Sequence, residues 1–464
     1  MTKTTPNRSE AISRARDLVA HGRFATDLAE LIACRTESQR PDQTDAMQGY
    51  LRKQLQPRLT ALGFECGEHH ADGATFLIAK RIEDPDAPTV LMYGHGDVTH
   101  GQYAAWADGL DPFKLTQRGQ SLYGRGAADN KGQHLINLLA LEMVLTARGG
   151  LGVNVTWLFE MGEEVGSPGL ETLCRENAHA LKADVLIASD GPRLRHDWPT
   201  VFLGARGAVN FDLSVNLREG AHHSGNWGGL LADPAMILAQ ALSCITDARG
   251  ALKIDAWRPT SLTKDIRADL AVLPEPGGKG PSTDPNWGEP GLTAAEKLYG
   301  WNSFAVLAMS AGVPEAPVNA ICGQAKATCQ LRFVVGTNPE AILPSLRAHL
   351  DAAGFDQVQI SEDGTYFPAT RSNAYSAWVR RVTTSIATTM GQGPDILPNL
   401  AGSLPNHCFS EILGVPTVWV PHSYAGCNQH APDEHMLLEV AEQGLAVMTG
   451  IFWDLAQSAI AHDI

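Results

Sequence analysis

The hydrophobic pattern in the N-terminal part of the chain changes between helical and strand-like spacing. Apolar residues recur at helical spacing over 7–34 and 44–62, and a strongly apolar helix is predicted over 131–145. Short apolar runs typical of buried strands lie at 75–79, 89–93, 153–159 and 185–188. Strands that alternate with helices in this way predict an α/β fold with a mostly parallel sheet covered on both faces.

The middle of the chain has the pattern of a sheet with one open face. Residues 209–217 alternate strictly between apolar and polar, as a half-exposed strand does, and a second alternating strand is predicted over 324–335. Residues 274–291 contain five prolines and five glycines, so this stretch is predicted to be a long irregular loop. A smaller α+β domain is therefore expected here.

The C-terminal part returns to the first pattern, with a buried strand predicted over 417–420 and a helix over 436–455. The larger domain is thus expected to be built from two segments, with the smaller one inserted between them. The predicted division is 1–204 for the first segment, 205–367 for the inserted domain and 368–464 for the second segment.

Composition narrows the class of protein. The 464 residues are 44% hydrophobic and 19% charged, with a formal net charge of −15, which disfavours a nucleic-acid or anionic-membrane partner. No apolar stretch reaches the roughly 18–20 residues of a membrane span, and the N-terminus lacks the apolar region of a secretion signal. The eight cysteines are scattered without a C-x-x-C pair, which is typical of reduced thiols. We therefore expect a cytoplasmic protein.

Histidines and carboxylates stand at the ends of the predicted strands or beside glycine-rich loops. Taken singly, each of them is more typical of a helix cap or a surface turn than of a ligand. The glycine-rich loop at 124–132 lacks the spacing of a phosphate-binding loop, so a nucleotide site is disfavoured. The groups are His95 with Asp97, Asp129, Glu163 with Glu164, Asp190, and His430.

Taken together, these groups indicate a metal site. Four of the five end or follow a predicted strand, and ligand sites in open parallel sheets form at the carboxyl ends of strands. Nitrogen and oxygen ligands without thiolate suit zinc, with manganese or cobalt as alternatives. Two metal ions need about five protein ligands with one shared carboxylate. Five of the residues can be these ligands: His95, Asp129, Glu164, Asp190 and His430. Asp97 then remains as an orienting group and Glu163 as a general base.

These residues stand in motifs that resemble those of the M20 family of metallopeptidases, which includes dipeptidases, carboxypeptidases, aminoacylases and deacetylases. The resemblance covers nearly the whole chain, and these motifs in this order are highly specific. The stretch Asp111-Pro112-Phe113 looks most like the carnosinase-like dipeptidase branch. The motifs are Gly94-His95-Gly96-Asp97, Tyr123-Gly124-Arg125-Gly126 with Asp129 and Lys131-Gly132, Gly162-Glu163-Glu164 with Gly166-Ser167, and the single residues Asp190 and His430.

The resemblance implies a role for each of these residues. Asp129 would bridge two metal ions, and the peptide bond that follows it would be cis. Glu163 would take a proton from the attacking water, and Asp97 would orient a ligand histidine. One ion would be completed by His95 and Asp190, and the other by Glu164 and His430.

The inserted domain would be a lid and dimerisation domain. The resemblance implies that His223 crosses to the active site of a partner chain, where it would be an oxyanion donor. The protein is therefore expected to be a homodimer. Asn319 would reach the substrate, and Arg332 with Gly402 and Ser403 would hold its carboxylate. The alternatives are that His223 is a loop histidine with a local partner and that Arg332 is merely solvated. The strand predicted at 209–217 has a periodic apolar face, and an exposed edge of this kind favours pairing with a second chain.

The expected activity is hydrolysis of a peptide or amide bond next to a free carboxylate, by a dipeptidase or carboxypeptidase. An N-acyl-amino-acid deacylase with the same residues is the alternative. A non-catalytic protein on the same fold is disfavoured because Glu163 and every ligand are present, and a serine hydrolase because no G-x-S-x-G occurs. Gly96 departs from the family, which often has a larger residue there, commonly Tyr in dipeptidases.

Overall fold

The computed structural model describes residues 7–274 and 282–456. Within these residues there are 17 strands and 13 α-helices, which are numbered here in chain order. The irregular loop predicted at 274–291 lies partly outside the described residues, since 275–281 fall in the gap. Among the residues that the structure describes, no helix combines the length and hydrophobicity needed to cross a membrane.

An eight-stranded sheet is built from the first and last parts of the chain. In space its strands follow the order β1-β2-β6-β3-β7-β15-β9-β14. The strands are β1 (Glu65–Ala71), β2 (Ala74–Arg81), β3 (Thr89–His95), β6 (Asn154–Glu160), β7 (Val185–Ala188), β9 (Thr200–Phe202), β14 (Asp395–Leu397) and β15 (Thr417–Trp419). The pairs β6–β3, β3–β7, β7–β15 and β9–β14 are parallel, whereas β1, β2 and β6 pair antiparallel. The predicted mostly parallel sheet is confirmed.

Both faces of this sheet are buried, as a parallel sheet requires. Val90 and Met92 of β3 belong to one apolar cluster, and the alternate residues Leu91 and Tyr93 belong to the other. A π-helical segment at 50–55 joins two of the covering helices. The helices of these two segments of chain are α1 (Arg8–Ala20), α2 (Arg23–Ile32), α3 (Thr44–Gly49), α4 (Gln56–Ala61), α5 (Lys131–Arg148), α6 (Leu170–Glu176), α12 (Ala377–Met390) and α13 (Leu438–Leu455).

The middle of the chain forms a separate antiparallel sheet with the order β11-β12-β10-β13. Its strands are β10 (Gly207–His223), β11 (Ser303–Ala311), β12 (Ala320–Phe333) and β13 (Gln359–Phe367). The helices here are α7 (Ser224–Trp227), α8 (Pro234–Ile245), α9 (Lys264–Ala271), α10 (Ala294–Tyr299) and α11 (Ile342–Ala352). Apolar side chains of α8 and α11 share one core with the inner face of this sheet, so its other face stays open.

The expectation of a free edge at 209–217 is wrong. This stretch is part of β10, which pairs with β12 on one side and with β13 on the other. Its strict alternation reflects one buried and one open face, and such a pattern does not distinguish a central strand from an edge strand. The free edges of this sheet are β11 and β13.

Two short sheets complete the fold beside the ends of the central strands. One contains β4 (Thr116–Arg118), β5 (Ser121–Tyr123) and β17 (His435–Leu437), and the other contains β8 (Pro192–Arg193) and β16 (Ser423–Tyr424). The antiparallel pairing of β17 with β5 brings the chain after residue 430 against the chain after residue 123.

The chain crosses between the two large sheets twice, and the two crossings run side by side. Thr370 N donates to Ala205 O at 2.9 Å, and Ser372 N donates to Leu203 O at 2.6 Å. The outgoing and returning segments are therefore hydrogen-bonded neighbours at the point where the middle part of the chain begins and ends.

Candidate metal centre

The polar groups predicted from the sequence meet at one edge of the central sheet. His95 is the last residue of β3, while Glu164 follows β6 and Asp190 follows β7. Asp129 precedes helix α5, and His430 lies in the loop between β16 and β17. Because β3, β6 and β7 are parallel, their carboxyl ends lie together, which explains why residues so distant in the chain converge.

One group of ligands is formed by His95, Asp129 and Asp190. The Nε2 atom of His95 lies 3.1 Å from Asp129 Oδ1 and 3.6 Å from Asp190 Oδ2, and all three side chains are buried. Burial alone would lower the pKa of His95, but hydrogen bonds with Asp129 and Asp97 outweigh it and raise that pKa well above its ordinary value.

A second group is formed by Asp129, Glu164 and His430. The Nε2 atom of His430 lies 2.9 Å from Asp129 Oδ2 and 3.0 Å from Glu164 Oε2. The two oxygens of Asp129 therefore face different histidines, which places this carboxylate between the two groups. Burial alone would raise the pKa of Asp129, but hydrogen bonds with His430 and His95 lower it. The bond from Asp129 to the next residue is cis, as the resemblance implies.

Asp97 connects the first group with the turn that carries the adjacent glutamates. Its carboxylate is fully buried and lies 3.3 Å from His95 Nδ1. It also accepts hydrogen bonds from the backbone N–H groups of Glu163 at 3.2 Å and Glu164 at 3.1 Å. Asp97 can therefore hold both the imidazole ring and the glutamate turn in place.

The site contains more buried negative charge than its own groups balance. Burial, followed by the charge of Asp129, raises the pKa of Glu164 to about 7 and that of Asp190 to about 6. Burial also raises the pKa of Glu163 well above its ordinary value. Hydrogen bonds with Asp129 and Glu164 raise the pKa of His430 to about 11. A cation at this position would stabilise the ionised carboxylates.

The residues present fit divalent metal ions. Within each group the ligand atoms all lie within 4.8 Å of one another. Asp190 Oδ2 is buried without a hydrogen-bond partner among the described residues, which is costly for a carboxylate oxygen unless it binds a cation. The donors are imidazole nitrogens and carboxylate oxygens, a set that suits zinc and its neighbours. Two groups that share one carboxylate fit a pair of ions.

His223 lies apart from this cluster. It is exposed at the end of β10, and its Nδ1 accepts a hydrogen bond from Gly225 N at 3.1 Å. No hydrogen bond or ion pair joins it to the ligands anywhere in the described parts of the chain. Asn319 is close to it, because Asn319 O accepts a hydrogen bond from Ser224 N at 2.8 Å. Within one chain His223 therefore has the local partner that the alternative interpretation gave it.

Arg332 contacts the residue that was predicted to share its role. Its Nη1 donates to Ser403 Oγ at 3.1 Å, which links β12 to the C-terminal segment. Gly402 O accepts a hydrogen bond from Arg206 N at 3.1 Å, which anchors the same loop. Arg332 is half-buried, its pKa is lowered by burial, and no carboxylate of the described residues lies within 4.0 Å of it. Such an arginine is well suited to hold the carboxylate of a ligand.

The sequence interpretation missed the residues that surround Asp129. Glu434 is fully buried and accepts a hydrogen bond from Asp129 N at 3.1 Å and one from Arg125 Nη1 at 2.7 Å. Gln429 Nε2 donates to Asp129 Oδ2 at 3.3 Å. Arg125 stands inside a motif that carried the resemblance, but the motif gave it no role. Glu434 belongs to the stretch 428–434 that contains His430, but that stretch gave it no role either.

Comparison with known proteins identifies the family. Residues 91–454 match the sequence profile of Peptidase family M20/M25/M40. The chain belongs to this family. The membership and the metallopeptidase class predicted from the motifs are thus confirmed, and M20 peptidases are dimetal enzymes, in agreement with the two ligand groups that share Asp129.

Two relatives of this chain are named as dipeptidases. The M20 chain is 34% identical over 242 residues to a cysteinylglycine-S-conjugate dipeptidase of Corynebacterium striatum, a match that spans 52% of this chain and only about half (52%) of that relative. It is 26% identical over 412 residues to the Beta-Ala-His dipeptidase of Mus musculus, which covers 84% of this chain and 81% of the relative.

Solved structures of M20 peptidases share the fold. An M20 family metallo-carboxypeptidase from Sulfolobus solfataricus superposes with a TM-score of 0.80 at 24% identity and covers 94% of this chain and 99% of its own. The di-peptidase Dug1p from Saccharomyces cerevisiae superposes with a TM-score of 0.78 at 20% identity. The match covers 98% of this chain and 100% of the Dug1p chain. The two-part α/β architecture of this M20 peptidase is therefore that of the family.

Proposed function

We propose that this M20 peptidase hydrolyses dipeptides that have a free C-terminal carboxylate. The observation that carries the proposal is the sharing of Asp129 by two ligand groups, since a bridged pair of ions is suited to amide hydrolysis. Zinc fits the donors best, and manganese or cobalt could replace it. The proposed ligands are His95 and Asp190 for one ion, Glu164 and His430 for the other, and Asp129 for both.

The substrate class is supported by two independent features. The relatives of Corynebacterium striatum and Mus musculus are both named as dipeptidases. Arg332 and Ser403 provide a guanidinium and a hydroxyl in contact with each other, with no carboxylate of the described chain beside the guanidinium. A planar guanidinium with paired donors matches a carboxylate, so these residues, with Gly402, are proposed to hold the C-terminus of the substrate.

The chain's own residues perform the proton transfers and the positioning. When bound, the metal ions would act as Lewis acids towards the scissile carbonyl and make a water molecule a better nucleophile at neutral pH. The carboxylate of Glu163 accepts a proton from the attacking water and returns it to the leaving nitrogen. Asp97 holds the His95 ring and the backbone of the glutamate turn, while Arg332 fixes the end of the substrate.

We further propose that the site is completed by a second copy of the chain. His223 is the proposed oxyanion donor, yet it is exposed and has only a local partner within its own chain. Strand β11 is a free edge whose Val306, Leu307 and Met309 are exposed, and such an edge is suited to pairing with the same strand of a partner. A homodimer through the inserted domain would bring His223 and Asn319 to the partner's substrate.

The experiment that tests the function compares substrates and metal states. Purified enzyme is assayed on dipeptides, on the matching dipeptide amides and on N-acetyl amino acids, before and after removal of metal with a chelator. We expect free dipeptides to be cleaved fastest, activity to vanish on chelation, and zinc, manganese or cobalt to restore it. Faster cleavage of N-acetyl amino acids would favour the deacylase, and full activity of metal-free protein would contradict the dimetal site. The cytoplasmic location of the protein stays a prediction, which cell fractionation can test.

A further inference from the structure

Three segments of the chain supply the second ligand group, and a buried ion pair holds two of them together. Asp129 ends the segment 124–129, and His430 begins the segment 430–434. Arg125 of the first segment and Glu434 of the second are each about 1% exposed or less, and their side chains pair at 2.7 Å. This ion pair is not part of either ligand group.

The Glu434 carboxylate binds three backbone N–H groups of the segment that leads to Asp129. Its Oε1 accepts hydrogen bonds from the N–H groups of Ala128 at 2.9 Å, and of Gly126 and Asp129 at 3.1 Å. Its Oε2 accepts from Arg125 Nη1 at 2.7 Å and from Gly126 N at 3.1 Å. Both carboxylate oxygens therefore act as acceptors, and an amide in either orientation would direct an N–H group at another donor.

Arg125 extends the connection to the loop that carries His430. Its Nη2 donates to Ala431 O at 3.1 Å while its Nη1 holds Glu434. The loop needs such support, because His430 and Asp433 have φ of 59° and 61°, a region that residues other than glycine rarely adopt. The guanidinium also lies over the ring of Trp106, 5.9 Å from its centroid.

The first ligand group does not depend on this ion pair in the same way. His95 and Asp190 lie at the ends of strands β3 and β7 of the central sheet, so the sheet itself fixes their separation. His430 has no such support, because it lies in a loop between two short strands. A change in the ion pair therefore moves His430 relative to Asp129. It leaves His95 and Asp190 in place, so the first ligand group is affected only through the shared Asp129.

We propose that Glu434 and Arg125 are positioning residues that fix the distance between Asp129 and His430 and thereby set the metal affinity of the second ligand group. This inference rests on the proposed dimetal function. Groups that orient metal ligands typically change affinity by about 10–100-fold when they are altered. A larger loss is expected for the ion at Glu164 and His430, because the other ion shares only Asp129 with the two segments that the ion pair joins.

The test uses a nearly isosteric variant and a matched control. Glu434→Gln keeps the size of the side chain but removes one acceptor oxygen. Asp454→Asn is the control, because Asp454 pairs with Arg8 at 2.8 Å and accepts from Ser385 Oγ at 2.7 Å. It lies at the C-terminal end of α13, whereas the His430 loop precedes the N-terminal end of that helix. Metal-free full-length wild type, E434Q and D454N are titrated with cobalt(II), with calorimetry for affinity and visible absorption for the coordination of each ion.

Wild type and D454N are expected to bind two ions with the same affinities, within about threefold. E434Q is expected to bind one ion about 10–100-fold more weakly and to lose clearly less affinity for the other. The inference would be overturned if E434Q bound both ions as wild type does, or if it lost the same affinity for both ions. The same loss in D454N would also overturn it. Wild type that binds fewer than two ions would overturn the proposed dimetal function and this inference with it.

A second variant covers the case in which E434Q does not fold, which circular dichroism would show. Arg125→Lys keeps the positive charge beside Glu434 but cannot hold both Glu434 and Ala431 O with a planar fork. It is expected to weaken binding of the same ion most, and the cobalt absorption of that ion should change. If R125K folds and binds both ions as wild type does, the ion pair has only a general structural role.

Discussion

The Nε2 atom of His430 lies 2.9 Å from Asp129 Oδ2, although 301 residues separate them in the chain. The other oxygen of Asp129, Oδ1, lies 3.1 Å from His95 Nε2. One carboxylate thus faces two histidines that come from opposite sides of the inserted domain in the sequence. A substitution of Asp129 would be expected to affect both ligand groups, whereas a substitution of His430 would affect one.

The adjacent glutamates are expected to differ in function despite their shared sequence context. Glu163→Gln should leave both metal ions bound and remove the proton acceptor, so that kcat falls by a factor on the order of 10²–10⁴. Glu164→Gln should lose one ion, because Glu164 faces His430 in the second ligand group. Elemental analysis and steady-state kinetics on the two variants check this. Identical metal content and identical kcat would show that the assignment is wrong.

Arg332 is expected to recognise the carboxylate of the substrate. Arg332→Ala should raise KM for a free dipeptide far more than for its C-terminal amide, because only the free acid has the charge that a guanidinium binds. Lys326→Ala is the matched control, since Lys326 lies on the same strand but pairs with Asp212 at 2.8 Å. A loss of equal size on acid and amide, or the same pattern in the Lys326 variant, would assign Arg332 a structural role only.

His223 is expected to act on the substrate of the partner chain. Removal of one oxyanion donor typically costs on the order of 10²–10³ in kcat, so His223→Ala and Glu163→Gln homodimers should both be nearly inactive. After the two variants are mixed and refolded, heterodimers should contain one site with both residues intact, and activity should partly return.

His222→Ala is the control for this mixing experiment, because His222 is the neighbour of His223 on β10 and its ring faces Trp227. That variant should keep most of its activity. If subunits demonstrably exchange and the mixture of His223→Ala with Glu163→Gln stays inactive, or if the enzyme is an active monomer, the arrangement in trans is wrong.

Gly96 is expected to tolerate no side chain. A Cβ atom there would lie 2.5 Å from the ring of Tyr50 and 2.8 Å from Met161 Sδ, and the Tyr50 hydroxyl is held by His134 Nε2 at 2.7 Å. Gly96→Ala should therefore destabilise the fold by about 1–3 kcal/mol. Urea unfolding measures this against Gly393→Ala, where no atom lies within 4 Å of the added Cβ. A Gly96 variant as stable as wild type would contradict the overlap.

Much of the fold could be predicted because buried parallel strands have a simple pattern. The apolar runs at 89–93 and 185–188 became β3 and β7, and the residues after them supplied ligands. Strand β1 was not predicted, because its residues Glu65–Ala71 are mostly polar and it lies at the exposed edge of the sheet. The local pattern of hydrophobic residues reflects which side chains are buried. An edge strand buries few side chains, so its sequence shows little of this pattern.

The surroundings of the ligands were less predictable than the ligands themselves. Glu434 binds backbone N–H groups, which almost every residue has, so no pairing of side-chain types marks it in the sequence. The departure at Gly96 has a similar cause, since the space of a larger side chain there is filled by Tyr50, which lies 46 positions earlier in the chain. Both features depend on tertiary proximity, which periodicity and local motifs do not encode.

The adjacent crossings at 203–205 and 370–372 have a consequence for how such a chain can vary. Because the two segments are already hydrogen-bonded to each other, a short turn could join them without changing the order or register of the central strands. All eight strands of the central sheet lie outside 206–369, so a change in the length of the chain between the two crossings interrupts none of them. Residues of the middle stretch, the proposed substrate-binding Arg332 among them, could therefore diversify while the ligand-bearing strands stayed unaltered.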